Sequence, residues 1–178
     1  MHEIVASPIS ARAFAPFGDV LLDDTGALAP WNGRPEADSV LEKLVASQPA
    51  HADGHVMQLL ERHRHSTQAF FPLDADAYLV ATAPTAPDGR PQLDGLVAFV
   101  VPAGSVIQYR PDVWHAPLTT LGADGRFAMH IFKDGSEADC EFFQIPPVAV
   151  RLEAAQRAHG PYPTFGPAQT FPINSIKE

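Results

Sequence analysis

Short apolar or alternating segments, each bounded by turn-forming residues, constrain the fold of this chain more than any other feature of its sequence. Each segment is long enough for a β-strand and too short for a typical helix. The 18 prolines among the 178 residues also disfavour long helices. We therefore expect a mainly β fold, a sandwich or barrel of short strands. The predicted strands cover residues 56–60, 68–71, 78–83, 96–101, 106–109, 127–132 and 141–145.

The remaining segments carry a few helix signals. Ser10 can cap a short helix that stops before Pro16. Residues 36–46 fit either a short helix or a strand, and residues 150–158 resemble a helix that Gly160 would end. We expect a mainly β domain with only a few short helices.

The length of the chain fits one domain, or one domain with a tail. We assign residues 1–160 to the domain and residues 161–178 to an extended C-terminal arm, because prolines and glycines interrupt that last segment. The arm is either a partly ordered tail or a segment that lies across a partner subunit.

The charge of the chain limits its partners. The formal net charge is −9, and lysine and arginine do not cluster into a basic stripe. This pattern argues against nucleic-acid binding and against an anionic membrane surface. If the ligand is a small anion, local cations or a metal must outweigh the overall negative field.

The chain also lacks the signals of export and of membrane insertion. No cationic start followed by an apolar run is present in its first ten residues. No stretch approaches the roughly 18 apolar residues that a membrane span needs. The single cysteine, Cys140, excludes an intramolecular disulfide. We therefore expect a cytoplasmic protein.

Polar residues suited to chemistry concentrate in two segments, residues 61–70 and 104–115. On a strand Glu61 and His63 share one face, because side chains alternate. A carboxylate and an imidazole are costly to bury without a task or a partner. Metal ligation is one such task, and this pair of groups suits a first-row divalent metal. His115, at the end of the second segment, would complete the set.

The spacing of these residues resembles the two motifs of the cupin superfamily. The first motif, His-x-His followed by a carboxylate, corresponds here to Glu61, His63 and Gln68. The second, which begins with glycine and ends with histidine, runs from Gly104 to His115, with Arg110 where the motif has proline and Asp112 where it has glycine. The resemblance implies a cupin-like double-stranded β-helix, that is, a jelly-roll barrel.

Within that superfamily the sequence resembles the ureidoglycolate lyases, also called ureidoglycolate hydrolases. The resemblance covers about residues 10–147, and it rests on the blocks Glu-Arg-His at 61–63, Thr-Gln-Ala-Phe at 67–70, Pro-Leu at 72–73 and Val-Trp-His-Ala-Pro-Leu at 113–118. It implies an enzyme that cleaves (S)-ureidoglycolate to glyoxylate and urea in allantoin and purine catabolism. It also implies a homodimer and a divalent metal, often given as nickel.

The chemistry of that reaction suggests roles for the polar residues. Elimination needs a base for the hydroxyl proton, a proton for the departing nitrogen, and positive charge near the substrate carboxylate. We expect catalysis by Glu61, His63 and His115, which with Gln68 are also the candidate metal ligands. The alternative is a purely structural role, in which His63 and His115 are hydrogen-bonded core histidines and Glu61 forms a surface salt bridge with an arginine. Candidate substrate-binding residues are Gln68, Tyr109, Arg110, His130 and Lys133.

Two other interpretations stay open. One keeps the barrel and changes the reaction to that of a metal-dependent cupin dioxygenase, isomerase or hydrolase acting on another small hydroxy or keto acid. Glu61, where the first motif has a histidine, counts against the usual iron dioxygenase site. The other is a non-catalytic cupin that binds a metabolite.

Overall fold

The predicted segments form strands in the structure, a computed structural model that describes residues 2–46 and 54–153. Short 3-10 turns occupy Leu93–Gly95 and Glu137–Asp139. The elements, in chain order, are β1 (His2–Val5), β2 (Ser7–Pro8), α1 (Ala11–Phe14), β3 (Gly18–Leu21), β4 (Asp38–Ala46), β5 (His55–Arg62), β6 (Gln68–Pro72), β7 (Tyr78–Ala83), β8 (Val97–Val101), β9 (Val106–Tyr109), β10 (Trp114–His115), β11 (Thr119–Thr120), β12 (Gly125–Lys133) and β13 (Glu141–Arg151).

The strands pair into two sheets. In the first sheet the order is β1-β13-β5-β10-β7-β8-β2, with β11 also paired to β7, and in the second it is β3-β9-β6-β12-β4. Pairing is antiparallel except between β1 and β13 and between β2 and β8. The result is a mainly β, cupin-like barrel with a few short helices, as the sequence predicts.

One apolar cluster joins the inner faces of the two sheets. It contains Tyr78 and Phe99 from the first sheet together with Phe127 and Tyr109 from the second. The rings of Tyr78 and Phe127 meet edge to face with their centroids 5.2 Å apart, a favoured arrangement for aromatic pairs. The buried Tyr78 hydroxyl donates a hydrogen bond to the Ser105 carbonyl oxygen at 2.7 Å. This cluster closes one part of the barrel interior and leaves polar residues in the rest.

A second apolar cluster lies on the outer face of the first sheet. Leu79, Ala81 and Ala83 point into it, and the intervening residues of β7 point into the barrel. All six residues of β7 are therefore buried, which explains why this segment reads as a continuous run rather than an alternating one. Thr82, which also lies on the inner face, is a buried polar residue within this mostly apolar strand.

The structure confirms the predicted short N-terminal helix, decides one open segment and corrects one predicted helix. The short helix α1 begins as predicted, and the Ser10 hydroxyl accepts a hydrogen bond from the Ala13 N–H. Residues 36–46, left open between helix and strand, contain strand β4. The prediction of a helix from residue 150 is wrong at its start, because Val150 and Arg151 continue β13 and pair with β1. Tertiary pairing there overrides local helix preference.

The other residues of that predicted helix and the C-terminal arm at 161–178 lie outside the described residues. Among the described residues, the structure contains no helix long and apolar enough to cross a membrane.

We predict that Gly18→Ala destabilises the protein by about 1–3 kcal/mol, the usual cost of forcing an extra group into a packed site. A Cβ at Gly18 would lie 2.0 Å from the Gln108 carbonyl oxygen, on the strand that carries Tyr109. Urea denaturation measures the loss. Gly104→Asn is the control, because its Cβ meets no atom within 4 Å and asparagine tolerates its positive φ. Equal midpoints for wild type and Gly18→Ala would contradict the prediction.

Candidate active site

Three polar residues lie side by side across the first sheet. His115, on the two-residue strand β10, pairs with Glu61 of β5 on one side and with Thr82 of β7 on the other. Directly opposed residues of neighbouring strands point to the same face of a sheet. The three side chains therefore project together into the barrel, where His115 and Thr82 are almost completely buried.

The second sheet supplies the opposite wall of this site. The Tyr109 ring of β9 stacks on the His115 ring, with centroids 4.0 Å apart and planes 15° from parallel. Gln68 of β6 is the cross-strand neighbour of Tyr109. His63 follows the end of β5, and its ring centroid lies 5.7 Å from that of His115. The two sequence segments predicted to converge therefore meet inside the barrel.

One ligand atom from each of Glu61, His63 and His115 lies within 4.8 Å of the other two. His115 Nε2 is 3.3 Å from Glu61 Oε1. Each imidazole also meets a backbone carbonyl through its Nδ1: Asp139 O at 2.6 Å for His63 and Val113 O at 2.9 Å for His115. A carbonyl oxygen can only accept, so both rings carry their proton on Nδ1. Their Nε2 lone pairs are then free to face the cluster.

This donor set fits a divalent metal. Both Nε2 atoms are buried and lack a hydrogen-bond partner in the described structure, which is unfavourable unless something occupies the site. Two imidazole nitrogens and a carboxylate suit first-row divalent metals. The Gln68 amide oxygen is likewise buried without a partner, while its Nε2 donates to the Met129 sulfur at 3.2 Å. The described residues thus contain a possible metal-binding cluster.

Burial and mutual charge set the protonation of these groups. Burial raises the pKa of Glu61, but the hydrogen bond and the electrostatic interaction with His115 outweigh burial, and the net pKa is lowered. Burial, followed by the charge of His115, lowers the pKa of His63 to about 4. At neutral pH the site therefore presents an ionised Glu61 and an uncharged His63.

Tyr109 adds a neutral donor to the same site. Burial, then the nearby Tyr78 and Glu61, raises the pKa of Tyr109 well above its ordinary value. Its hydroxyl is buried and has no hydrogen-bond partner among the described residues. The phenol therefore stays protonated and has a hydrogen bond to offer to a ligand.

Lys133 lies at the margin of the cluster. It shares a face of β12 with the interior residues Met129 and Ile131, and its positive charge contributes to lowering the pKa of both Glu61 and His63. Its ammonium group is 2.9 Å from Glu42 Oε1, and about a third of the side chain is exposed. Lys133 is thus a partly exposed cation whose charge acts on the cluster.

The structure does not bring His130 or Arg110 to this cluster. The neighbours of His130 on β12, Met129 and Ile131, fill the interior, so His130 lies on the outer face and contacts the Ser39 hydroxyl at 2.9 Å. Arg110 is half exposed and lies 3.9 Å from the Asp19 carboxylate. Alternation predicts which residues share a face but does not say which face is interior.

Sequence reasoning missed Thr82 and the backbone of Asp139. Thr82 stands out as a small polar residue after the apolar residues Leu79, Val80 and Ala81, and that was the available signal. The Asp139 carbonyl oxygen binds His63 from a turn 76 residues away, and no local pattern indicates such a contact.

The fold and the cluster together define a cupin-like barrel with an interior site of two histidines and a carboxylate. A family model described as ureidoglycolate lyase matches residues 26–152. The chain belongs to the ureidoglycolate lyase family.

Individual relatives agree with this assignment. A ureidoglycolate lyase of Chelativorans sp. is 32% identical over 85% of this chain and 98% of its own length. A ureidoglycolate lyase of Schizosaccharomyces pombe is 32% identical over 78% of this chain and 90% of its own. One from Rhodobacter capsulatus is 30% identical over 82% of this chain and 96% of its own.

The depressed pKa of His63 makes a prediction about acid stability. Between pH 6.5, the ordinary pKa of histidine, and about 4, the unfolded chain binds a proton at His63 that the folded protein does not. The free energy of unfolding should therefore fall as the pH decreases through this range, by about 3 kcal/mol from this group alone. Urea denaturation of chelator-treated protein at several pH values measures the slope.

His63→Gln is the matched variant for this measurement. It removes the titrating group and keeps a side chain able to donate to the Asp139 carbonyl oxygen. We expect a shallower decrease in stability for His63→Gln than for wild type over the same pH range. Identical slopes in the two proteins would contradict the assignment of the titration to His63.

Proposed function

We propose that the protein cleaves (S)-ureidoglycolate to glyoxylate and urea. The observation that supports this most directly is the convergence of Glu61, His63 and His115 in the barrel interior of a ureidoglycolate lyase family member. A carboxylate and two imidazole nitrogens at this spacing are able both to transfer protons and to organise a small polar substrate.

The reaction balances without water. The hydroxyl on the central carbon of the substrate loses its proton and becomes the carbonyl of glyoxylate. The bond between that carbon and the ureido nitrogen breaks, its electron pair goes to nitrogen, and nitrogen takes up a proton to complete urea. One group that first accepts a proton and then donates it is sufficient.

We assign the proton transfer to Glu61. Among Glu61, His63 and Tyr109, it is the one that is ionised at neutral pH, as the directions of their pKa changes require. It accepts the hydroxyl proton and returns it to the departing nitrogen. A carboxylate has two oxygens, so one can serve a metal while the other carries the proton.

Neutral and cationic donors around Glu61 orient the substrate. The Tyr109 hydroxyl donates to a substrate oxygen, since it lacks another partner among the described residues. Lys133, whose ammonium group also pairs with Glu42, attracts the substrate carboxylate. Such a local cation is needed because the chain as a whole is strongly acidic.

We propose that Glu61, His63, His115 and Gln68 hold a divalent metal, nickel by resemblance to the family. When bound, the metal supplies positive charge that stabilises the oxygen on which negative charge develops. A homodimer and a cytoplasmic location also remain predictions from the sequence and the family resemblance.

We predict that His63→Ala and His115→Ala each reduce turnover at least about 100-fold, the lower range for loss of a group that acts directly on proton transfer or charge. Purified variants are given ureidoglycolate, and glyoxylate and urea are quantified together. His2→Ala, an exposed histidine on β1, is the control and should keep wild-type activity. Full activity in both His63→Ala and His115→Ala would contradict the assignment of catalytic roles to these histidines.

Removal of the metal gives a separate prediction. Chelator treatment should reduce turnover at least about 10-fold, and Ni²⁺ added back should restore it. Elemental analysis of the same sample checks occupancy. Ammonia in place of urea would indicate amidohydrolase chemistry, and substrate binding without turnover would favour the metabolite-binding alternative.

A further inference from the structure

The orientation of His63 depends on a turn that lies far from it in sequence. Its Nδ1–H donates to the Asp139 carbonyl oxygen at 2.6 Å, and this contact directs Nε2 toward Glu61 and His115. The equivalent contact of His115 uses Val113, only two residues away, so its own local backbone fixes it. The Nδ1–H of His63 instead bonds to a residue far along the chain. The contacts that hold Asp139 in place therefore also fix the orientation of the His63 ring.

The carboxylate of Asp139 is what anchors this turn. It accepts hydrogen bonds from the Asp134 N–H at 3.1 Å and from the Gly135 N–H at 2.7 Å. It also forms an ion pair with Arg34, and both side chains are nearly nine-tenths buried. Arg34 reaches the start of the turn as well, through Asp134 Oδ2 at 2.8 Å. The guanidinium thus bridges the two ends of the turn.

Arg34 is itself fixed to the segment that follows His63. The Asn32 side chain accepts from the Arg34 N–H at 2.9 Å and donates to the Arg34 carbonyl oxygen at 2.6 Å. The Gly33 N–H donates to the His65 carbonyl oxygen at 2.8 Å. The chain on both sides of the His63–Asp139 contact is therefore connected through Arg34.

We propose that Arg34 and Asp139 are positioning residues, whose ion pair holds the carbonyl oxygen that sets the tautomer and orientation of His63. The inference rests on the proposed function for its consequence in catalysis and on the structure for its geometry. In other proteins, mutation of a group that orients a ligating or catalytic histidine through its second nitrogen reduces activity or metal affinity roughly 10- to 100-fold. The side chains of Arg34 and Asp139 do not themselves belong to the cluster, and Asp139 meets it through its backbone carbonyl oxygen.

The direct test is the tautomer of His63 in full-length, chelator-treated protein. Long-range ¹H–¹⁵N spectra distinguish an imidazole protonated on Nδ1 from one protonated on Nε2. Wild type should show Nδ1–H alone, and Arg34→Gln should show a mixture of both tautomers. Asp139→Asn, which keeps the size of the side chain and removes its charge, should show the same mixture. Arg34→Lys should recover most of the wild-type signal.

Turnover provides the second measurement. Arg34→Gln should lower kcat roughly 10- to 100-fold with little change in KM, because the substrate-binding groups are untouched. Arg126→Gln is the matched control, since it removes an arginine that pairs with Asp74 on an exposed part of β12. It should leave both the His63 tautomer and kcat unchanged, with thermal unfolding used to show that every variant is folded.

The two proposals fail in different ways. If wild type does not cleave ureidoglycolate but Arg34→Gln still alters the His63 tautomer, the proposed function is wrong and the positioning role stands. If Arg34→Gln and Asp139→Asn both keep a pure Nδ1–H tautomer and normal kcat, the positioning role is overturned.

Discussion

The pairing of strand β10 between β5 and β7 is the constraint on which the site depends. Backbone pairing places His115 beside Glu61 and Thr82, so all three side chains point into the barrel. A slip of one residue would turn His115 outward and Trp114 inward, because side chains alternate along a strand. Trp114 resists such a slip, since it packs in the outer cluster against Phe143 with ring centroids 5.8 Å apart. The packing of an apolar layer thus secures the register of a polar one.

His63 is the second point where distant parts of the chain meet. Its carbonyl oxygen accepts from the Asp112 N–H at 2.9 Å, and its ring donates to the Asp139 carbonyl oxygen. The two polar segments of the sequence and the turn before β13 are therefore joined at one residue. Burial disfavours the charged imidazole and lowers the pKa of His63, and the opposing effect of the hydrogen bond to the Asp139 carbonyl oxygen is smaller. A histidine of low pKa is the consequence, suited to present a lone pair at neutral pH.

Local pattern predicted a sandwich or barrel of short strands, and the resemblance to the cupin motifs predicted that Glu61, His63 and His115 meet in its interior. Local pattern was insufficient for His130, since alternation is symmetric and the choice of interior face depends on the packing of Met129 and Ile131. It also gave no indication of Arg34. That role arises from contacts across about a hundred residues, and no periodicity within the N-terminal segment encodes it.

The two departures from the second cupin motif, Arg110 and Asp112, have structural explanations outside the pocket. Asp112, where the motif has glycine, keeps the left-handed φ of 66°, a conformation that aspartate tolerates better than most residues. Its carboxylate accepts from Arg62 at 2.9 Å, and it thereby helps to neutralise a guanidinium that is only 2% exposed. Arg110, where the motif has proline, donates its N–H to the Phe17 carbonyl oxygen at 2.9 Å, a bond that proline could not form. Both residues form contacts of their own in the turn that precedes His115, so their presence is no argument against the site.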